Sequence, residues 1–213
     1  DAIFALHCMP ALEVGKIGHS GRSVWAGSDL VEIDVRGKKA HGASPHEGVD
    51  AGLVASQIVV ALQSVVSRRI DARDSCVISV GEIDAGDSYN ILPERAMLTG
   101  ILRCFSLDLA DHAQEEIRRL ATNIAHGYGA TCDVSFTAGA RPVNNDVELE
   151  RRTVDALRAE FDRVPVEHPP QLAAEDFAAF SRRIPGCYLF WEFATRRKAS
   201  STASTPRSST STS

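Results

Sequence analysis

Leu30-Val31-Glu32-Ile33-Asp34-Val35-Arg36 alternates apolar and polar residues. Successive side chains on a strand point to opposite faces. The run therefore predicts a half-buried strand with Leu30 as its lead-in and Val31, Ile33 and Val35 on the inner face. A loop over 37–48, containing Pro45, leads from it to a helical pattern over 50–68. Asp50 suits the N-cap of that helix, and Val54, Ile58, Leu62 and Val65 recur on one face. Strand patterns follow at 75–83 and 95–105, separated by a loop over 86–93. A second amphipathic helix is expected over 108–127, with Asp108 as its cap, Ile117, Leu120, Ala121 and Ile124 inward, and Gly127 at its end. A strand at 132–137 closes the series. Strand, helix, strand, strand, helix, strand is the ferredoxin-like, split βαβ order, and its length of about 110 residues suits one compact domain.

Outward from this unit the pattern changes. Residues 1–27 open with a buried-strand pattern, Ala2-Ile3-Phe4-Ala5-Leu6, and then Gly15, Gly18, Gly21 and Gly27 punctuate loops. Downstream, helices are expected at 146–162 and 174–183 and a strand at 186–191. The expected architecture is an α/β catalytic-domain portion in two pieces, 1–27 and 139–192, interrupted by an inserted α+β unit at 28–138. Residues 193–213 end in Ala, Ser and Thr with little to bury, which predicts disorder. The chain begins at Asp1 and runs straight into apolar residues, with no Met and no lead-in loop, so a truncated beginning is expected.

The bulk numbers exclude several classes of partner. Lys and Arg total 23 against 28 Asp and Glu, a net charge of -5 with both signs mixed along the 213 residues. That argues against a nucleic-acid groove or an anionic membrane as the main partner. No apolar run is expected to reach the roughly 20 residues of a membrane helix. The five cysteines, Cys8, Cys76, Cys104, Cys132 and Cys187, are odd in number and irregularly spaced. They fit free thiols in a reducing compartment, the cytoplasm.

Four motifs could carry chemistry. In Leu6-His7-Cys8-Met9-Pro10 a His at the end of an apolar strand can offer a neutral imidazole to a metal. By itself it fits a strand-end His bonded to backbone better. In Gly37-Lys38-Lys39-Ala40-His41-Gly42-Ala43-Ser44-Pro45-His46 a loop on a rigid strand can present an imidazole to a developing oxyanion. A solvated loop His reads the same way. A metal site from His41 and His46 is the poorer reading, because spacing of this kind in a loop does not aim both rings at one point. Asn90-Ile91-Leu92-Pro93 is followed by Arg103. An Asn amide can donate to a carbonyl, and an Arg can clamp a carboxylate, although both also suit a turn and a surface strand. Glu175-Asp176 could lie beside a metal, and equally suits a helix N-terminus.

Taken together and in this order, the motifs resemble the aminoacylase/carboxypeptidase-type dinuclear metallohydrolases, closest to hippurate hydrolase and the auxin-amino-acid-conjugate amidohydrolases. The matching parts are Leu-His-x-x-Pro at 6–10, Gly-Lys-x-x-His at 37–41 with Pro-His at 45–46 and Asp50, Asn-Ile-Leu-Pro at 90–93 with Arg103, and Glu-Asp-Phe at 175–177. The resemblance runs to about residue 190. It implies a homodimer through a lid made by the inserted unit, and hydrolysis of the amide bond of N-acyl amino acids. It also implies a divalent metal pair, zinc or manganese, which polarises substrate and activates water. His7 would be a metal ligand. His41 would reach the partner subunit's active site and polarise the scissile carbonyl. Asn90 and Arg103 would hold the substrate, Arg103 by its carboxylate.

The resemblance also implies ligands and a general-base Glu that precede the Leu-His motif, and this chain starts after them. The expectation is therefore a chain inactive alone. The alternative reading is a non-catalytic dimerisation or carboxylate-binding module. The family closes on a Leu-His-x-Pro-x-Phe-Asp-Phe-Asp-Glu segment. One permitted codon set for 203–213, read one nucleotide out of frame, encodes Leu-His-Thr-Pro-Glu-Phe-Asp-Phe-Asp-Glu. A change of reading frame near Phe190 and Trp191 is expected, and the coding DNA tests it.

Overall fold

A computed structural model describes residues 1–161 and 165–192. The expectations for residue 162 and for the tail at 193–213 lie outside the described residues. In chain order the elements are β1 (Ile3–Met9), β2 (Ile17–His19), β3 (Ser23–Trp25), β4 (Gly27–Arg36), β5 (Ala40–His41), α1 (Ala51–Arg69), β6 (Cys76–Ala85), β7 (Ile91–Leu92), β8 (Arg95–Cys104), α2 (Leu107–Gly127), β9 (Thr131–Ala138), β10 (Val143–Asn144), α3 (Val147–Glu160), β11 (Pro165–Glu167), α4 (Ala178–Ser181) and β12 (Gly186–Glu192). Two four-stranded sheets organise them: β1-β12-β2-β11, and β6-β8-β4-β9.

The second sheet is antiparallel throughout, with β4 between β8 and β9. Val31, Ile33 and Val35 of β4 are 4%, 1% and 0% exposed, so the alternation at 30–36 sets the inner face as expected. Both long helices cover that face. α1 buries Val54, Ile58, Leu62 and Val65, and α2 buries Ala113, Ile117, Ala121 and Ala125. Each Val, Leu or Ile side chain buried in this way stabilises the fold by roughly 1.5–3 kcal/mol, and each Ala by less. Asp50 caps α1, accepting from the Leu53 amide at 3.0 Å. α2 corrects one expectation: its cap is Ser106, not Asp108. Ser106 has extended backbone and its Oγ accepts from the Leu109 amide at 3.1 Å, which leaves Asp108 inside the first turn.

α1 holds no unbroken apolar run of the roughly 20 residues a membrane helix needs, because Ser56, Gln57, Gln63, Ser64 and Ser67 interrupt it. It is long and apolar enough, by length and composition alone, to cross a membrane. The apolar composition is spent on the domain core, where its buried stripe packs against the sheet.

The first sheet gives two more corrections. β1 pairs in parallel with β12, but Phe4 and Leu6 are 54% and 58% exposed, so β1 is not the buried strand expected. It is an edge strand, and no described element covers Phe4 and Leu6. The helix expected at 174–183 shortens to α4, because Glu175 Oε1 accepts from the amides of Asp176 and Phe177 at 3.1 and 3.4 Å and holds a turn there. A second core gathers Leu12, Val24, Trp25, Val143, Phe177, Tyr188 and Phe190.

The two sheets are joined by two chain crossings that lie side by side. Ser28 and Gly139–Ala140 exchange backbone hydrogen bonds of 2.8 Å. A side chain at Gly27 would meet the Pro142 ring.

Candidate functional site

The loop after β4 is held shut at its base. Lys38 and Val49 exchange backbone hydrogen bonds of 2.8 and 2.9 Å, and a side chain at Gly37 would collide with the Val49 carbonyl. The loop is also tied to the 90–93 segment. β5 pairs antiparallel with β7, setting His41 opposite Ile91, and the Gly42 amide donates to the Asn90 carbonyl at 2.8 Å. A Cβ on Gly42 would come within 3.0 Å of that carbonyl, so only glycine lets the two strands approach without adjustment. Two motifs nearly fifty residues apart thus become one exposed cluster, His41 with Asn90.

Their side chains have defined donors. The Ala43 amide donates to His41 Nδ1 at 3.0 Å. A nitrogen that accepts carries no proton, so neutral His41 is the Nε2–H tautomer, with a donor on its exposed edge. Ser88 Oγ donates to Asn90 Oδ1 at 2.8 Å. The amide NH2 of Asn90 makes no hydrogen bond among the described residues, so the cluster presents two donor groups, His41 Nε2–H and the Asn90 NH2.

His7 is set the other way. Its Nδ1 lies 2.8 Å from the Cys8 carbonyl, which can only accept. Neutral His7 therefore carries its proton on Nδ1 and leaves Nε2 with a free lone pair, the form that ligates a metal. The ring packs edge-on against Trp25, centroids 5.4 Å apart, and Trp25 in turn contacts Tyr188 and Phe190. Tyr188 donates to Glu175 Oε2 at 3.1 Å. Burial pushes the Tyr188 phenol above its usual range, and the adjacent carboxylate adds to the shift. Glu175 is thus occupied by backbone amides and a phenol, and Asp176 is exposed beside it.

Arg103 lies elsewhere again. It sits near the end of β8, opposite Ser28 on β4 and Val77 on β6. Its Nη1 is buried and has no hydrogen-bond partner among the described residues. Eight residues of strand separate it from Arg95 at the His41–Asn90 end, roughly 27 Å at strand rise. Within one chain the structure joins His41 to Asn90 but keeps Arg103 at the opposite end of the sheet. Ser28, its neighbour on β4, is three residues from the Trp25 that contacts His7.

Among the described residues no group of three or more His, Cys, Asp or Glu side chains could hold a metal ion. His7 is one ligand, and a metal pair needs several. The described residues alone do not fit a metal pair. Sequence reading missed the groups that fix the tautomers, Ala43 N–H and Cys8 C=O, because backbone groups leave no trace in residue type. Gly42 directly after His41, and Ser88 two residues before Asn90, were the available signals.

Comparison with known proteins bears on this geometry. Residues 26–129 match the family model of the peptidase dimerisation domain. The chain is 35% identical over 191 residues to an N-acetylcysteine deacetylase of Bacillus subtilis, spanning 89% of this chain and 50% of that protein. It is 33% identical over 192 residues to an N-acetyldiaminopimelate deacetylase of Lactococcus lactis, spanning 90% and 51%. Residues 26–129 belong to the M20 peptidase dimerisation domain family.

Among solved structures, a dinuclear metal-binding peptidase of the M20 family from Bacillus subtilis superposes with a TM-score of 0.74 at 29% identity, over 90% of this chain and 48% of that one. A protein from methicillin-resistant Staphylococcus aureus described as an aminohydrolase superposes at 0.85 with 28% identity, over 92% and 51%. The chain spans about half the length of the curated relatives it matches.

Proposed function

We propose that this chain is the lid-bearing portion of a metal-dependent amidohydrolase that cleaves the amide bond of N-acyl amino acids. In this reading residues 28–138 are a ferredoxin-like lid that also forms the homodimer contact. Residues 1–27 and 139–192 belong to the α/β catalytic portion. The relatives are deacetylases of N-acetyl amino acids, and the resemblance to hippurate hydrolase adds N-benzoyl amino acids as the second substrate class. The free thiols fit a cytoplasmic enzyme.

The observation that carries the reading is the opposite tautomers of His7 and His41. His41 has a proton to donate at Nε2, which suits a carbonyl oxygen gaining negative charge, with the Asn90 amide beside it. His7 has a lone pair at Nε2, which suits a zinc or manganese ion. When bound, a metal pair supplies Lewis acidity and an activated water. Arg103, with a buried unpartnered Nη1, suits a substrate carboxylate held by two parallel hydrogen bonds. The separation along β8 argues that His41 and Asn90 of one copy serve the same substrate as Arg103 of the other.

Titration of the chain with N-acetyl and N-benzoyl amino acids tests this by NMR. The His41 ring signals are expected to move, and Arg103→Ala is expected to abolish that response. His41 signals that ignore both ligands, or that respond equally in the variant, would overturn the shared site. Because the described residues bring only His7, the chain alone is expected to release no free amino acid with added zinc or manganese. Turnover that a chelator abolishes would refute that second expectation.

The dimerisation-module alternative is favoured by the family match at 26–129. It separates from the first reading by an absence of ligand response in a folded dimer.

A further inference from the structure

Cys76 opens β6 and Cys104 closes β8, and the two are directly opposite in antiparallel register. Both side chains point into the core shared with α1 and α2, 8% and 2% exposed. Cys104 donates its S–H to the Cys76 sulfur at 3.4 Å. Residues opposite each other in an antiparallel pair have Cα atoms about 4.5 or 5.5 Å apart. Either value falls within the about 4.4–6.8 Å that a disulfide spans. A bond of about 2.0 Å therefore requires the sulfurs to close by roughly 1.4 Å, within reach of rotation about the two Cα–Cβ bonds.

We propose that Cys76 and Cys104 are a redox modification site, forming a reversible intrachain disulfide when the protein meets a hydroperoxide. The two sulfurs have distinct roles. The hydrogen bond from Cys104 lowers the Cys76 thiol, and that same bond, followed by burial, raises Cys104. Cys76 is also the more exposed of the two. Its thiolate attacks the peroxide O–O bond, giving a sulfenic acid at Cys76 and one water, or an alcohol from an organic peroxide. The Cys104 sulfur then attacks the Cys76 sulfur, its proton leaves with the hydroxyl as a second molecule of water, and the S–S bond forms. Two thiols and one hydrogen peroxide give one disulfide and two waters.

The position gives the bond a consequence. Cys104 follows Arg103 and lies opposite Gly27 on β4, next to the crossing between the sheets. Oxidation fastens the edge strand β6 to the end of β8 that carries Arg103. The other thiols are not arranged for this. Cys8 is exposed, and among the described residues neither Cys132 nor Cys187 makes a hydrogen bond to another sulfur.

The test uses the full chain carrying Cys8→Ser, which removes the exposed competitor. After dilute hydrogen peroxide, intact mass is expected to fall by about 2 Da. Alkylation of the denatured protein is expected to lose two of the four remaining cysteines (five less Cys8). Peptide mapping should join Cys76 to Cys104, and dithiothreitol should restore both thiols. In Cys104→Ser the mass loss should vanish and a sulfenic acid be trapped at Cys76. Full alkylation of both cysteines after peroxide, or a mapped disulfide between any other pair, overturns the proposal. Mapping in the Cys8→Ser chain decides the matter even where a core serine variant fails to fold.

Discussion

Glu116 sits on α2 at 7% exposure, yet it pairs with two arginines. Arg69, at the end of α1, reaches it through Nε and Nη2 at 2.9 and 3.1 Å, and Arg119 adds a contact of 2.6 Å. The Arg69 hydrogen bonds, then that from Arg119, hold its carboxyl at about 2, against an ordinary 4.5. A folded-state value below the unfolded one means stability that is fully present above pH 4.5 and is lost as pH falls toward 2. Glu116→Gln should therefore melt below the parent at pH 7, and the gap should narrow as pH falls through that window. A gap in melting midpoint that is the same at pH 7 and pH 3 would sink the assignment. Residue type alone hid this pair, because Arg69 and Glu116 are far apart in sequence and meet only when α1 and α2 pack. The same limit applied at the candidate site. His41 and Asn90 were legible as motifs, but their adjacency depends on the Gly42–Asn90 backbone contact.

At the scale of elements, periodicity located the long strands and helices to within a few residues, since their apolar faces must be buried whatever surrounds them. It did not find β2, β3, β5, β7, β10 or β11, each two or three residues long. Runs of that length carry no period, and their partners come from distant chain. Caps depend on one hydrogen bond, and there composition misled: Asp108 and Ser106 are both good capping residues, and backbone geometry selects Ser106. Ser106→Ala is expected to destabilise the protein by about 1 kcal/mol, read from urea unfolding. Asp108→Ala should cost less, because a first-turn carboxylate contributes only about 0.3–1 kcal/mol through the helix dipole. A larger loss from Asp108→Ala than from Ser106→Ala would return the cap to Asp108.

At the scale of the whole molecule, what remains unpaired indicates how copies could meet. In the antiparallel sheet β6 is bonded on one side only, to β8, and its free edge is a template for another strand. α1 lies over the β6 side of the sheet and α2 over the β9 side. Leu53 and Val60, seven residues apart on α1 and so on one face, are 48% and 70% exposed, and Ile83 on β6 is 55% exposed. An open strand edge flanked by apolar side chains is a surface that a second copy can cover, with backbone pairing along the edge and burial of the flanking residues. If two copies pair there, Val60→Asp places an unpaired charge in the contact. Because Val60 is solvent-facing in one chain, the substitution should leave the melting midpoint of the isolated fold nearly unchanged while dimers dissociate to monomers. Sedimentation across a concentration series measures this. A Val60→Asp chain that remains dimeric at the parent's concentrations would move the contact to the β9 edge, where Asp133→Lys or Ser135→Lys becomes the disruptive change. It would also alter which ends of β8 face each other, and with them the proposed sharing of a substrate between His41 of one copy and Arg103 of the other.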